Sequence, residues 1–213
     1  MAWILILVIP VYRTGFITFT TAHAYLGGFV KFFILASMGD MLGGRILNRE
    51  WNFPQGFLFK AFVWGVLGIM ITLVFTVFFA GTEGAMASGK LPFEGSKFAL
   101  AFFGSLIMNT TFGPMMYIYH KFGDMLVDML IESRSGKLIG GITVEAMVNR
   151  IDWQTMVGFS WIKSCLLIWT PCHTIVFLLP VEYRVLASAF LSILLGILVA
   201  VTKKKAQKKL IIN

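Results

Sequence analysis

The sequence predicts an all-α fold: a polytopic transmembrane helical bundle of five or six spans with its C-terminus in the cytoplasm. Three observations predict it. Charged residues make up 13% of the chain, against about 25% in a soluble domain, and the mean hydropathy is +0.83. The apolar residues fall into blocks of about 20, the length that crosses the hydrocarbon core of a bilayer. Lysine and arginine also divide unevenly between the two ends of those blocks, as loop charge does in membrane proteins. With 213 residues so arranged, residues 1–213 form one integral membrane domain, with no room for a sizeable soluble one.

The blocks are taken in chain order. Residues 2–22 are apolar apart from Arg13 and several threonines. They either span, with an arginine that costs about 2.5–3.5 kcal/mol at the helix centre, or lie in the interface. No basic region precedes residues 2–10, so no cleavable signal peptide is expected. Residues 23–46 form a span that carries Lys31 and Asp40. Gly39 and Gly43 in it make a small-xxx-small pair suited to close helix approach. After a short interfacial turn, residues 57–80 form the cleanest span, uncharged beyond Lys60. Residues 81–96 read as a polar, Gly-rich loop and residues 97–119 as the next span, with Asn109, Thr110 and Thr111 at its middle. Residues 121–153 hold half of the acidic side chains and read as a polar inner loop of helix–turn–helix form, broken near Ser135-Gly136 and Gly140-Gly141. Spans at 155–179 and 184–202 follow, and the basic tail 203–213 stops the last one.

Placing the tail in the cytoplasm and alternating back puts thirteen of the lysines and arginines inside and five outside. The bias supports both the span order and the orientation. A net charge of +8 then bears first on topology and on anionic lipid. No basic stretch is interleaved with aromatics on a polar face, which argues against nucleic acid as a partner. Cys165 and Cys172 stand about 10 Å apart along one helix, too far for a disulfide within it.

The least regular stretch is Trp169–Arg184. Pro171 removes a backbone donor in mid-span and is expected to kink the helix, with Thr170 and Thr174 close enough to satisfy the freed groups. His173 then lies at membrane depth, either as a pore-lining, proton-responsive group or as a buried histidine bonded to a neighbouring helix. Pro180, Tyr183 and Arg184 read as a tight extracytoplasmic hairpin. Asp40 is a functional candidate because an acid inside a span needs a partner, and Arg45 and Lys121 are the expected ones. Asn109 and Thr110 either line a hydrophilic path or join helices by hydrogen bonds. His120, Asp124, Asp128 and Glu132 recur every fourth residue and share one helix face. Two of them, His120 and Asp124, supply at most two metal ligands, so no metal site is expected, and Asp128 with Glu132 reads as a solvated face. Lys203, Lys204, Lys205, Lys208 and Lys209 suit either lipid headgroups or a plain topology anchor. No phosphate loop, Gly-x-Ser-x-Gly elbow or His-Glu-x-x-His occurs, so neither an enzyme nor a cofactor is expected.

Three pieces of the chain resemble, in the same order, the 22-kDa peroxisomal membrane protein family, also called the Mpv-seventeen family. They are Met38-Gly39-Asp40; Gly113-Pro114 with Tyr119, His120, Lys121 and Asp124; and Trp169 and Pro171 with Pro180, Tyr183 and Arg184. The chain departs from that family's pattern at Cys172, His173 and Val176-Phe177, where the family carries a Gln and an Asn-Phe. It also departs in the polar stretch 125–152 and in the extra span at 57–80. The resemblance implies a small multi-pass membrane protein with a channel-like or membrane-homeostasis role. It implies the cytoplasmic membrane if the source is bacterial, and a mitochondrial or peroxisomal membrane otherwise. Two functions are therefore expected. One is small-solute transport through a path built on the residues above. The other is a non-transporting component that organises lipid or joins a second copy or another membrane protein.

Overall fold

The computed structural model describes residues 2–51, 53, 55–137 and 141–212, with side chains left out at 2–4, 195 and 198–212. The chain is helical along most of this length. Two short helices, α1 (Ala2–Val8) and α2 (Pro10–Ala22), lead into α3 (Ala24–Asn48), α4 (Phe57–Ala87) and α5 (Lys97–Arg134). Two small helices, α6 (Val144–Asn149) and α7 (Trp153–Thr155), precede a π-helical segment, Met156–Trp169. That segment runs directly into α8 (Thr170–Leu178), and α9 (Val181–Ile212) ends the chain.

An all-α bundle is what the hydropathy pattern predicts. Among the described residues, four helices are long and apolar enough to cross a membrane: Ala24–Asn48, Phe57–Ala87, Lys97–Arg134 and Trp153–Leu178. Their packing suits lipid. Large apolar side chains such as Leu58, Phe59, Phe62 and Val77 are more than half exposed, while Ser105, Asn109, Ser164, Thr170 and Ser188 are buried. Lipid tails solvate the first group, and helix–helix hydrogen bonds satisfy the second. This is the architecture of a multi-pass membrane protein.

Several boundaries differ from those read in the sequence. Residues 2–22 form two helices, not one, because Pro10 opens the second of them. Arg13 is exposed, so its charge stays off the protein core. The loop predicted at 81–96 starts later, since α4 continues to Ala87. The stretch 121–153 is helical to Arg134, turns at Ser135-Gly136 and resumes as α6, but its first helix is not a separate one. Gly140 of the second expected break lies outside the described residues. Helix α5 carries straight on through Pro114 to Arg134, well past residue 119. Charged side chains do not stop a helix whose backbone is already hydrogen-bonded; they only change what its surface faces. The expected solvated face of Asp128 and Glu132 is also paired: Lys60 meets Asp128 at 2.8 Å, and Arg150 grips Glu132 with two hydrogen bonds of 3.1 and 2.8 Å. Asp152 caps α7, and its hydrogen bonds with Thr155 hold its carboxyl below the usual carboxylate range.

The hairpin at Pro180 is tighter than predicted. Only Leu179 and Pro180 separate α8 from α9, and Arg184 lies in the first turn of α9. Its Nε–H donates to Leu179 O at 3.0 Å, and its guanidinium sits 3.9 Å from the centre of the Phe79 ring. Tyr183 stacks on Phe16, tying α2 to this turn. Lys31, 3% exposed, points from α3 at α2: its Nζ donates to Thr20 Oγ1 at 3.0 Å and lies 4.9 Å from the Phe16 ring. The tail lysines Lys203, Lys204, Lys205, Lys208 and Lys209 lie outside the residues with described side chains.

Helix α3 is central because α4 and α9 both pack on it. Both crossings are made by glycine backbones. A Cβ on Gly28 would run into Thr72 and Gly68 O, and one on Gly68 into Gly28 O. A Cβ on Gly39 would lie 2.8 Å from Ser192 O, and one on Gly196 would lie 2.5 Å from Gly39 O. The small-residue pair seen at Gly39 and Gly43 is therefore occupied inside the chain. Gly68→Leu is expected to destabilise the bundle by about 1–3 kcal/mol, the usual cost of forcing bulk into a packed contact. Gly81→Leu, at a position with nothing within 4 Å, is the control. Thermal melts of the two variants in detergent check this.

Candidate functional site

At Trp169–Pro171 the helix changes from π to α. The π segment ends where the Thr170 N–H reaches Cys165 O, and Pro171, with no N–H to place, stands in the first turn of α8. Because the π segment runs straight into α8, the missing donor leaves a carbonyl of the preceding turn without its helical partner. The Thr170 hydroxyl donates to Cys165 O and the Thr174 hydroxyl to Thr170 O, carbonyls to either side of the one that proline frees. Pro171 itself is exposed and takes part in no polar network. Its effect is to set the register that turns His173 inward.

His173 meets α5 there. Its Nδ1 lies 3.1 Å from Asn109 Oδ1. The Asn109 amide is oriented by its own donor, which bonds Ser105 O at 2.8 Å, a carbonyl that can only accept. Asn109 Oδ1 therefore accepts, and His173 must carry its proton on Nδ1. The Ser105 hydroxyl in turn donates to Thr170 O at 2.7 Å. The relay links α5 and α8 through backbone, hydroxyl, amide and imidazole in sequence. It leaves His173 Nε2 as an acceptor, with Ser188 Oγ 3.5 Å away on α9. Trp169 stacks on the imidazole at 5.3 Å, and Phe75 meets it edge-on at 5.5 Å.

A second polar group stands farther along α5. Trp64 donates its indole N–H to Asp40 Oδ2 at 2.8 Å, and its ring lies 4.1 Å from that of His120. The expected partners Arg45 and Lys121 are not the ones used. Arg45 lies 5.9 Å from the centre of the Trp51 ring instead, and Asp40 makes no ion pair among the described residues. Asp40 sits mid-helix on α3, where the indole on the facing helix is nearer than a cation at the helix end. Asp124 follows on the same side of α5, 3.6 Å from His120 Nε2, which is too long for a hydrogen bond. Between the two groups, Trp169 Nε1–H donates to the Tyr117 hydroxyl at 2.8 Å, and Tyr117 in turn bonds Ser164 at 2.8 Å.

Asp40, Asn109, His120 and His173 all line one cavity of about 320 Å³. Asn109 and His120 are eleven residues apart, so the cavity runs for about 16 Å along α5. Most of its wall is apolar, from residues such as Phe32, Ile71, Phe75, Met108 and Phe112. Asp40 is an exposed residue, so the cavity opens to the surroundings at that end. Three of the sequence candidates stay outside, Pro171 among them. Thr110 is exposed and bonds its own helix at Leu106 O and Ile107 O; Asp124 touches the site only through His120. Among the described residues, no three His, Cys, Asp or Glu side chains converge on a point where a metal ion would sit.

Sequence reading missed Trp64, Tyr117 and the small residues Ser188, Ser192 and Gly196, all of which line the cavity. The last three recur every fourth residue, a legible stripe. Trp64 shows only as a tryptophan in mid-span, away from the interfaces that usually hold it. The relay predicts that His173 is the neutral Nδ1–H tautomer, read from imidazole ¹⁵N shifts. Asn109→Leu is expected to release that tautomer preference. It should also cost about 1–3 kcal/mol, the penalty of leaving a buried donor unpaired.

No protein-family model, curated protein or solved structure matches this chain, which leaves the chemistry of the cavity as the ground for a function.

Proposed function

We propose that the protein is a channel-like carrier of a small solute, without enzymatic activity, and a distant member of the Mpv-seventeen family. One observation carries the reading: four polar side chains singled out in the sequence, from α3, α5 and α8, line a single cavity at membrane depth. Soluble-phase solutes need such polar stations to pass an apolar layer, and a purely structural bundle has no use for an open one. Trp64, Tyr117 and Trp169 are already hydrogen-bonded, so they shape the passage and hold its walls in place. Asp40 keeps one oxygen free and His173 Nε2 has only the distant Ser188 hydroxyl at 3.5 Å, and these two are the groups a solute would meet.

The lysine and arginine bias gives the direction. With the tail in the cytoplasm, the C-terminal end of α3 faces inward, and the open, Asp40 end of the cavity is the cytoplasmic one. The membrane would be the cytoplasmic one in a bacterium, and a mitochondrial or peroxisomal one in a eukaryote. The competing reading, a lipid organiser or assembly subunit, draws its support from the small residues of α3 and from the basic tail, whose side chains lie outside those described. Those residues are in contact with α4 and α9 of the same chain, which favours the carrier.

Flux across proteoliposomes is the test. Wild-type protein is expected to pass a small solute, and the double variant Asp40→Asn/His173→Ala to lower that flux by about tenfold or more, the scale of losing charge-assisted contacts. Unchanged flux in a folded double variant would remove the cavity as the path.

A further inference from the structure

Two acceptors face the cavity from its opposite ends. Asp40 takes one hydrogen bond on Oδ2, from Trp64, and has a second oxygen and no ion pair among the described residues. The nearest lysine on α4 toward that end, Lys60, is bonded to Asp128 at 2.8 Å. At the other end, the Asn109 relay fixes the His173 proton on Nδ1. Its Nε2 is left to accept, with a hydroxyl at 3.5 Å, the outer limit of a hydrogen bond. The Tyr117 and Trp169 donors between them are already engaged. The site thus offers a carboxylate at one end and an imidazole lone pair at the other, with the unpartnered His120 ring and the Ser188 and Ser192 hydroxyls as its remaining polar groups.

The walls match that polarity. The rings of Phe32, Trp64, Phe75, Phe112 and Trp169 line the cavity. Ring faces carry negative potential and attract cations. They also take up apolar surface. A carboxylate with no ion pair among the described residues, at the open end of an aromatic slot, complements one kind of solute. Resting on the carrier reading above, we propose that the cavity binds a primary ammonium ion carried on an apolar or aromatic body. The ammonium pairs with Asp40 beside the Trp64 ring, and the body extends along the aromatic wall toward His173. A volume of about 320 Å³ suits a small single-ring amine, at the low end of ligand pockets.

Three probes of similar shape and different charge test it: phenethylammonium, phenethyl alcohol and phenylacetate. Each is titrated into the full chain in lipid nanodiscs, with binding read by equilibrium dialysis and by quenching of tryptophan fluorescence. The ammonium is expected to bind saturably and about tenfold or more tighter than the alcohol, and tighter still than the anion. Asp40→Asn is expected to abolish that preference while the alcohol binds as before. Equal binding of ammonium and alcohol to the wild type would overturn the assignment, and this ranking decides the matter even if the variant fails to fold. A full preference retained in folded Asp40→Asn would also overturn it. The ligand and the carrier reading fail separately. Ranked ammonium binding without any flux would retain the ligand and remove the carrier. Flux of neutral or anionic solutes that phenethylammonium neither joins nor blocks would retain the carrier and remove the ligand.

Discussion

Two glycine crossings on α3 set the geometry on which the rest depends. In lipid, apolar surface gains nothing by leaving one apolar surrounding for another, so helices associate through close packing and interhelical hydrogen bonds. At Gly28 with Gly68, and at Gly39 with Gly196, backbone meets backbone with no room for a Cβ. These contacts draw α4 and α9 against α3 at two separate heights. Helix α5 reaches the assembly through α4 and through the π segment and α8. The cavity is the space these helices enclose, so its width follows from contacts made by residues with no side chain.

The hydrogen-bond relay at Asn109 does a different job. It fixes no large area, but it decides which atoms the cavity presents. Each link leaves its neighbour a single choice: a carbonyl can only accept, so the amide must donate to it, so the amide oxygen must accept from the imidazole. The π segment supports this by ending at Thr170, where α8 takes over and carries His173 toward α5. π-helical turns are uncommon and recur at functional sites. Here one end of such a segment aims a histidine and a stacked tryptophan into the interior. A buried, fully bonded network of this kind is costly to half-break, because each orphaned group keeps its desolvation penalty.

The two ends of the cavity differ in kind. Around His173 every polar atom but one has a partner, and the rings of Trp169 and Phe75 hold the imidazole in place. Around Asp40 a carboxylate stands open, beside His120 Nε2 and Asp124 Oδ1, which have no hydrogen-bond partner among the described residues. A rigid interior end and an open, under-bonded outer end suit a site that admits a solute at one side and orients it at the other.

Hydropathy and charge alone determine the class of this protein: the long apolar helices and the histidine and aspartate inside them are legible because lipid tolerates few alternatives. The individual candidates Asp40, Asn109 and His173 are legible for the same reason, since a polar group at membrane depth stands out against apolar neighbours, and His120 is legible from its four-residue spacing with Asp124, Asp128 and Glu132. Their convergence is not, because the sequence carries no distance between α3, α5 and α8. Nor does it show that Trp64 takes the place of Arg45 and Lys121 at Asp40, that α5 runs on to Arg134, or that Thr110 turns away from the cavity while Asn109, one residue earlier, faces it. Those outcomes depend on the rotation and height of each helix against its neighbours. Backbone contact at four glycines places α4 and α9 against α3, side-chain and hydrogen-bond contacts place α5 against α4 and α8, and only the tertiary structure shows which of these residues meet.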